Sequence, residues 1–176
     1  DFYTSGTNSI YSSDDFEFIE FHNDAGYKIG LAGMKLTDGI DFDFSSGSVL
    51  TLDANESLLV VANLEAFTNR YPQPNLLIAG QYTGALNNGG EQVNLTDGLG
   101  NVALAFTYND SRGWPLAADG AGHSLVPLLL AGQETGALDY GRNWRASAYR
   151  DGSPGVVDPP LPDSIVINEV VAHTDY

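Results

Sequence analysis

The stretch Ile40-Asp41-Phe42-Asp43-Phe44 alternates apolar and acidic side chains without a break. Successive side chains of a β-strand point to opposite faces, so this spacing predicts a half-buried strand. Ile40, Phe42 and Phe44 would then face a core, while the two acids would face solvent. Asp38 and Gly39, just before the strand, are typical turn residues. The pattern therefore favours a sheet with one buried face.

Short segments of the same kind recur on both sides of residues 40–44. Each is rich in β-branched or aromatic residues and is bounded by turn-prone residues. A helix is expected only at 64–71, where Asn63 can cap its N-terminus and Pro72 ends it. The sequence thus predicts an all-β fold, an antiparallel β-sandwich of eight or nine short strands with one short helix. The other candidate strands are 16–21, 27–29, 34–37, 49–52, 57–61, 92–96, 102–108, 124–129 and 144–147.

The sandwich should occupy about residues 14–155 of a domain that covers residues 1–155. Its core is expected where apolar residues fall on the inward side of these strands. The expected core residues are Phe18, Ile29, Leu36, Phe42, Leu59, Val61, Leu95, Leu104, Phe106, Leu125 and Trp144.

The chain is strongly acidic. Its 176 residues include 23 acidic and 7 basic side chains, which gives a formal net charge of -16. A surface of this charge repels nucleic acids and anionic membranes, so neither is an expected partner. Apolar runs stay far below the ~20 residues that a membrane-spanning helix needs, so no membrane insertion is expected. The absence of cysteine excludes disulfides and thiolate chemistry.

The C-terminal part changes character after residue 155. Residues 156–163 contain three prolines and are expected to form an extended linker of roughly 25 Å, at about 3.1 Å per residue. Residues 164–172, within the terminal segment 164–176, are rich in Ile and Val and form the strongest isolated strand signal of the chain. A strand of this kind needs a partner, because its backbone groups must form hydrogen bonds.

Six segments, in this order, resemble the conserved pattern of lamin tail domains. The segments are 17–23, 29–39, 58–62, 84–95, 119–125 and 143–155. The resemblance covers about residues 14–155. It implies an immunoglobulin-like β-sandwich in an extracellular or cell-surface protein, often beside other domains. Met34 stands where Trp is common in the family, and Pro127 and Gly132 interrupt the late strand.

The first strand of the family pattern is missing from the N-terminus. It occurs instead at Ile167-Asn168-Glu169-Val170, near the other end of the chain. When the C-terminal residues are written before the N-terminal ones, the joined sequence resembles the complete N-terminal part of a lamin tail domain. The resemblance therefore implies that the sandwich lacks a strand that the C-terminal segment carries.

Few residues are candidates for catalysis or metal binding. His22, His123 and His173 are far apart in the sequence, and none has an acid or another His at the spacing of a His-Glu-x-x-His metal motif. We therefore expect no catalytic site and no enzyme activity. Carboxylate oxygens suit Ca²⁺, which makes Asp38, Asp41 and Asp43 candidate ligands of that cation. The alternative for these acids is a solvated strand face, and no other cofactor is expected.

The leading functional hypothesis is a non-catalytic extracellular structural module that donates its C-terminal strand to the next sandwich. Its partners would be copies of itself or neighbouring repeats, joined head to tail in a filament or tandem array. Contacts of the donated strand would come from Ile165, Ile167, Val170 and Val171. Alternatively, residues 164–172 fold back onto their own domain or begin a further domain. The alternative function is a carbohydrate- or Ca²⁺-binding adhesive module of a larger surface protein, with Trp114, Trp144, Tyr82 and Tyr108 as a candidate sugar-binding face.

Overall fold

The computed structural model describes residues 10–128 and 136–160. Within these ranges the chain forms twelve strands, one α-helix and four short 3-10 turns, which confirms the predicted all-β sandwich. The predicted strand at 164–172 and His173 lie outside the described residues. The strands are β1 (Phe18–His22), β2 (Ile29–Gly30), β3 (Lys35–Thr37), β4 (Ile40–Asp43), β5 (Thr51–Leu52), β6 (Ser57–Val61), β7 (Ile78–Gln81), β8 (Thr83–Gly84), β9 (Gly90–Thr96), β10 (Val102–Asn109), β11 (His123–Pro127) and β12 (Trp144–Arg150).

A five-stranded sheet and a three-stranded sheet supply the two sides of the main core. Their strand orders are β10-β9-β3-β4-β8 and β1-β6-β7, and β2-β5 and β11-β12 form two smaller sheets. Paired strands are antiparallel except for β6 and β7, which run parallel. Leu36, Ile40 and Phe42 from the larger sheet join Leu58 and Val60 of β6 in one buried cluster. The alternation at residues 40–44 therefore does place its apolar side chains inside.

Strand β6 is buried on both faces. Leu58 and Val60 belong to the main core, whereas Leu59 and Val61 form a second core with Phe67. Phe67 lies on α1 (Leu64–Arg70), which covers the outer face of the three-stranded sheet. A strand that is buried on both faces has apolar residues at every position, and residues 58–62 have that composition.

The helix forms where it was predicted. Asn63 caps its N-terminus, because the side chain accepts hydrogen bonds from the N–H groups of Glu65 and Ala66, both at 3.1 Å. The helix ends at Arg70, and Pro72 follows the capping residue Tyr71.

Asn23 is a buried polar centre at the end of β1. Its Nδ2 donates to the carbonyl oxygens of Tyr27, Leu52 and Asp53 at 2.9–3.0 Å. Its Oδ1 accepts the N–H of Ala25 at 3.0 Å. The side chain is 2% exposed and holds three chain segments together. The sequence indicated only a turn at this position.

Two features differ from the prediction. The structure has twelve strands instead of the predicted eight or nine, and β7 and β8 were not predicted. Three of the twelve strands, β2, β5 and β8, have only two residues. Leu36, Phe42, Leu59 and Val61 are buried as expected. The remaining expected core residues are only partly buried. Six of them lie on edge strands or in the small sheets, namely Phe18, Ile29, Leu104, Phe106, Leu125 and Trp144, whereas Leu95 lies on the inner strand β9.

Candidate functional site

The outer edge of β1 carries backbone groups that do not bond to β6. At the two ends of this pairing, Glu17 accepts the N–H of Ala62 and Asn23 donates to Glu56, both at 2.9 Å. Hydrogen-bonded pairs alternate along an antiparallel ladder, so the odd-numbered residues of β1 bond to β6. The N–H and C=O groups of Phe18, Glu20 and His22 therefore point away from it.

This edge has no strand partner within residues 10–128 and 136–160. Burial decreases from the central strand β6 to the edge strand β1. All four residues from Leu58 to Val61 on β6 are at most 1% exposed, whereas β1 is only partly buried. Within the described residues, the β1 edge of an otherwise apolar sheet thus has no strand partner.

Two other strand edges are closed by carboxylates. Asp139 accepts the outward N–H of Thr107 on β10 at 2.7 Å. Asp158 accepts the outward N–H of Ala148 on β12 at 3.0 and 3.1 Å. A charged group at an edge discourages pairing with another strand. The β1 edge carries no such carboxylate bond to its outward N–H groups from the part of the chain that is described.

The chain crosses the outer face of β1 shortly before its C-terminal segment begins. Gly155 donates its N–H to Glu20 Oε2 at 3.0 Å, and the Tyr71 hydroxyl bonds the carbonyl of Asp151. Burial raises the pKa of Glu20, although the bonds from Gly155 and Ser57 oppose this shift. Gly155 has φ +79°, a backbone conformation that favours glycine, and a Cβ there would displace the end of the Leu76 side chain.

Asp158 then fixes the chain to β12. Its carboxylate pairs with Arg145, and it also accepts the Ser153 hydroxyl at 2.7 Å. The side chains of Asp158 and Arg145 are 6% and 17% exposed. Burial alone would raise the pKa of Asp158, but the bonds from Ser153, Arg145 and Ala148 lower it below the usual value. Residues 156–158, which were predicted to begin the linker, thus remain attached to the sandwich through Asp158.

The predicted Ca²⁺ ligands are close in sequence but have other partners. Asp43 pairs with Lys35 at 3.1 Å and accepts the N–H of Ser45, while Asp38 accepts Asn94 Nδ2 at 2.6 Å. Asp41 is exposed on β4. No cluster of three potential metal-ligating residues occurs within the described ranges. The Ca²⁺ site remains a prediction.

Glu17 and Glu91 each accept a hydrogen bond from a tyrosine hydroxyl. The Tyr82 hydroxyl donates to Glu17 at 3.0 Å, and the Tyr108 hydroxyl donates to Glu91 at 3.0 Å. Burial raises the pKa of both tyrosines and of Glu17. Tyr82 is 3% exposed and cannot form part of a sugar-binding face. Its ring belongs to the main core instead.

Trp114 and Trp144 lie together. Their ring centroids are 6.0 Å apart, and Trp144 also contacts Phe106. Both tryptophans are partly buried, so they connect the loop before β11 to β12 and β10. Because Tyr82 is buried in the core, the predicted face does not include all four aromatic residues.

The described histidines have separate structural partners. His22 Nδ1 lies 3.1 Å from the Ser57 hydroxyl, and His123 Nδ1 lies 2.8 Å from the carbonyl oxygen of Ser147. The Ser57 hydroxyl is also bonded to Glu20, so the serine lies between the histidine and the acid. In a catalytic triad the histidine occupies the middle position, and this geometry differs from it.

The described residues contain a single α-helix of seven residues. No helix in this part of the chain is long and apolar enough to cross a membrane. Comparison of the chain with protein-family models, curated proteins and solved structures gives no match. The resemblance to lamin tail domains therefore stays a prediction from the sequence. The candidate site is the outer edge of β1.

Proposed function

We propose that this protein is a non-catalytic extracellular structural module that assembles head to tail. Residues 164–172 of one copy add a strand to the outer edge of β1 in the next copy. The observation that carries this proposal is the absence of a strand partner for that edge among the described residues, whereas β10 and β12 have a carboxylate bonded at their outer edges.

The chemistry of the donor segment fits this edge. Strand addition supplies a row of backbone hydrogen bonds, and alternate side chains provide apolar contact. The segment contains Ile165, Ile167, Val170 and Val171 and has one acidic residue, Glu169. Ile19 and Phe21 on β1 are only partly buried beside the main core, so an added strand would cover them further.

Donation in one direction leads to a chain of modules. Each copy gives a strand at its C-terminus and receives one at β1, so the contact is heterologous and propagates unless a ring closes. The net charge of -16 opposes close approach of copies. Assembly should therefore strengthen with salt, because repulsion is screened beyond about 10 Å at 0.1 M.

Deletion of residues 164–176 tests this proposal. The full chain should form concentration-dependent oligomers in sedimentation experiments, and the deletion variant should stay monomeric. A peptide of residues 164–176 should bind the deletion variant, whereas the same peptide with Ile167→Asp and Val170→Asp should not. A monomeric full chain together with a peptide that does not bind would contradict the proposal. A monomeric full chain that loses stability on deletion would instead indicate folding back of the segment.

A further inference from the structure

The link between the sandwich and its C-terminal segment is shorter than the proline content suggests. Asp158 is buried and bonded to Arg145, Ser153 and Ala148, so the chain is held to β12 up to this residue. Only residues 159–163 remain to bridge to residue 164. At about 3.1 Å per residue these five residues span roughly 16 Å, compared with roughly 25 Å for the eight predicted.

Three exposed apolar residues adjoin the bonded residues Asp158 and Ala148 in the sequence. Val157 and Val156 directly precede Asp158, and Tyr149 follows Ala148, whose N–H the carboxylate accepts. Their exposed fractions are 87% for Val157, 57% for Val156 and 59% for Tyr149. We call these three residues the exit patch. Exposed apolar side chains that come together on a surface are typical of sites that contact a partner.

We infer that the exit patch packs against the sandwich that receives the C-terminal strand, which is a second copy of this chain. This inference rests on the proposed function. The receiving β1 edge must come within the short span of residues 159–163, so the body of that copy must lie beside the attachment point. The patch is the apolar surface at that point, and the second copy would remove it from water.

A matched pair of surface variants tests the patch. The first carries Tyr149→Ser and Val157→Ser, and the control carries Leu99→Ser and Leu116→Ser, which replace exposed apolar residues elsewhere. Sedimentation of full-length chains should show association at least tenfold weaker for the patch variant and unchanged for the control. Unfolding curves of both variants should match the original chain, since all four side chains are exposed.

Binding of the 164–176 peptide separates this inference from the proposed function. The peptide carries no sandwich to cover the patch, so it should bind the deletion variant equally well with or without the patch substitutions. Full-length association that is equal in patch and control variants, with peptide binding intact, would overturn the exit patch alone. Absence of peptide binding from every variant would overturn strand donation, and the patch inference with it.

Discussion

Asp158 and Arg145 form a largely buried ion pair that attaches residues 156–158 to the edge of β12. The same carboxylate accepts the N–H of Ala148 and the hydroxyl of Ser153. One acidic side chain thus closes a strand edge and holds the chain to the sandwich as far as residue 158.

Replacing Asp158 with Ala should strongly destabilise the domain. The substitution leaves the Arg145 guanidinium without its carboxylate in a largely buried position, and breaking such a pair costs about 3–5 kcal/mol. Denaturant unfolding at pH 7 measures this loss. Because the pKa of Asp158 is lowered, its contribution is present above the usual carboxyl pKa and is lost as the pH falls through the folded-state value. The difference between the two proteins should therefore shrink in acid.

Asp53→Ala is the matched control for that experiment. Asp53 pairs with Lys28 at 2.7 Å, but both side chains are more than half exposed. Exposed pairs contribute little, so this variant should unfold close to the original protein. Equal effects of the two substitutions would show that the Asp158 pair is not buried in solution.

Glu20→Gln should reduce the pH dependence of stability. Burial raises the pKa of Glu20 above its usual 4.5, so the folded state binds the proton more tightly than the unfolded state. The stabilisation linked to this residue is complete below about pH 4.5 and is lost as the pH rises through the raised value. The Gln oxygen can still accept the N–H of Gly155.

Unfolding free energies of both proteins from pH 4 to pH 8 test this expectation. Relative to Glu20→Gln, the original protein should lose stability as the pH rises. A difference that stays constant across this range would mean that Glu20 titrates normally in the folded protein.

Asn23→Ala should cost at least about 2 kcal/mol, because the carbonyl oxygens of Tyr27, Leu52 and Asp53 lose a shared donor inside the protein. Asn88→Ala, at an exposed loop position, should change stability by less than about 0.5 kcal/mol. Thermal or denaturant unfolding distinguishes the two. A small effect at Asn23 would show that the loop carbonyls are solvated when the side chain is removed.

Local patterns predicted much of the fold. The alternation at residues 40–44 and the apolar run at 58–62 identified β4 and β6, and Asn63 marked the helix start. These signals depend on neighbouring residues alone. Strand β7 was missed because Ala79 and Gly80 have low strand propensity, and its parallel pairing with β6 depends on distant residues.

The candidate site was predicted less completely. The sequence identified a strand-like C-terminal segment, but it could not identify which edge lacks a strand partner among the described residues, because that depends on the strand order. Proline content predicted a linker from residue 156, whereas the ion pair with Arg145 extends the attachment to Asp158. An isolated acid between Val157 and Pro159 was the one local signal of this contact.

Leu59→Ala should destabilise the domain by about 2–5 kcal/mol, because it leaves a cavity in the second core against Phe67. Phe106→Ala should cost less than a fully buried Phe would, because Phe106 is only partly buried beside Trp144. Denaturant unfolding of both variants gives the comparison. A larger loss at Phe106 than at Leu59 would contradict the two-core arrangement around β6.

Cysteine cross-linking tests strand donation most directly, since the chain contains no cysteine of its own. One protein carries His22→Cys, at an exposed position on β1. Seven separate partner proteins each carry a single Cys substitution, at one of the positions 165–171. After mixing and mild oxidation, covalent dimers of the two proteins should form at alternate donor positions, because alternate side chains of a strand share one face. Chains with both substitutions should give a ladder of multimers on a denaturing gel. Cross-links only within single chains, or none at any donor position, would contradict donation between copies.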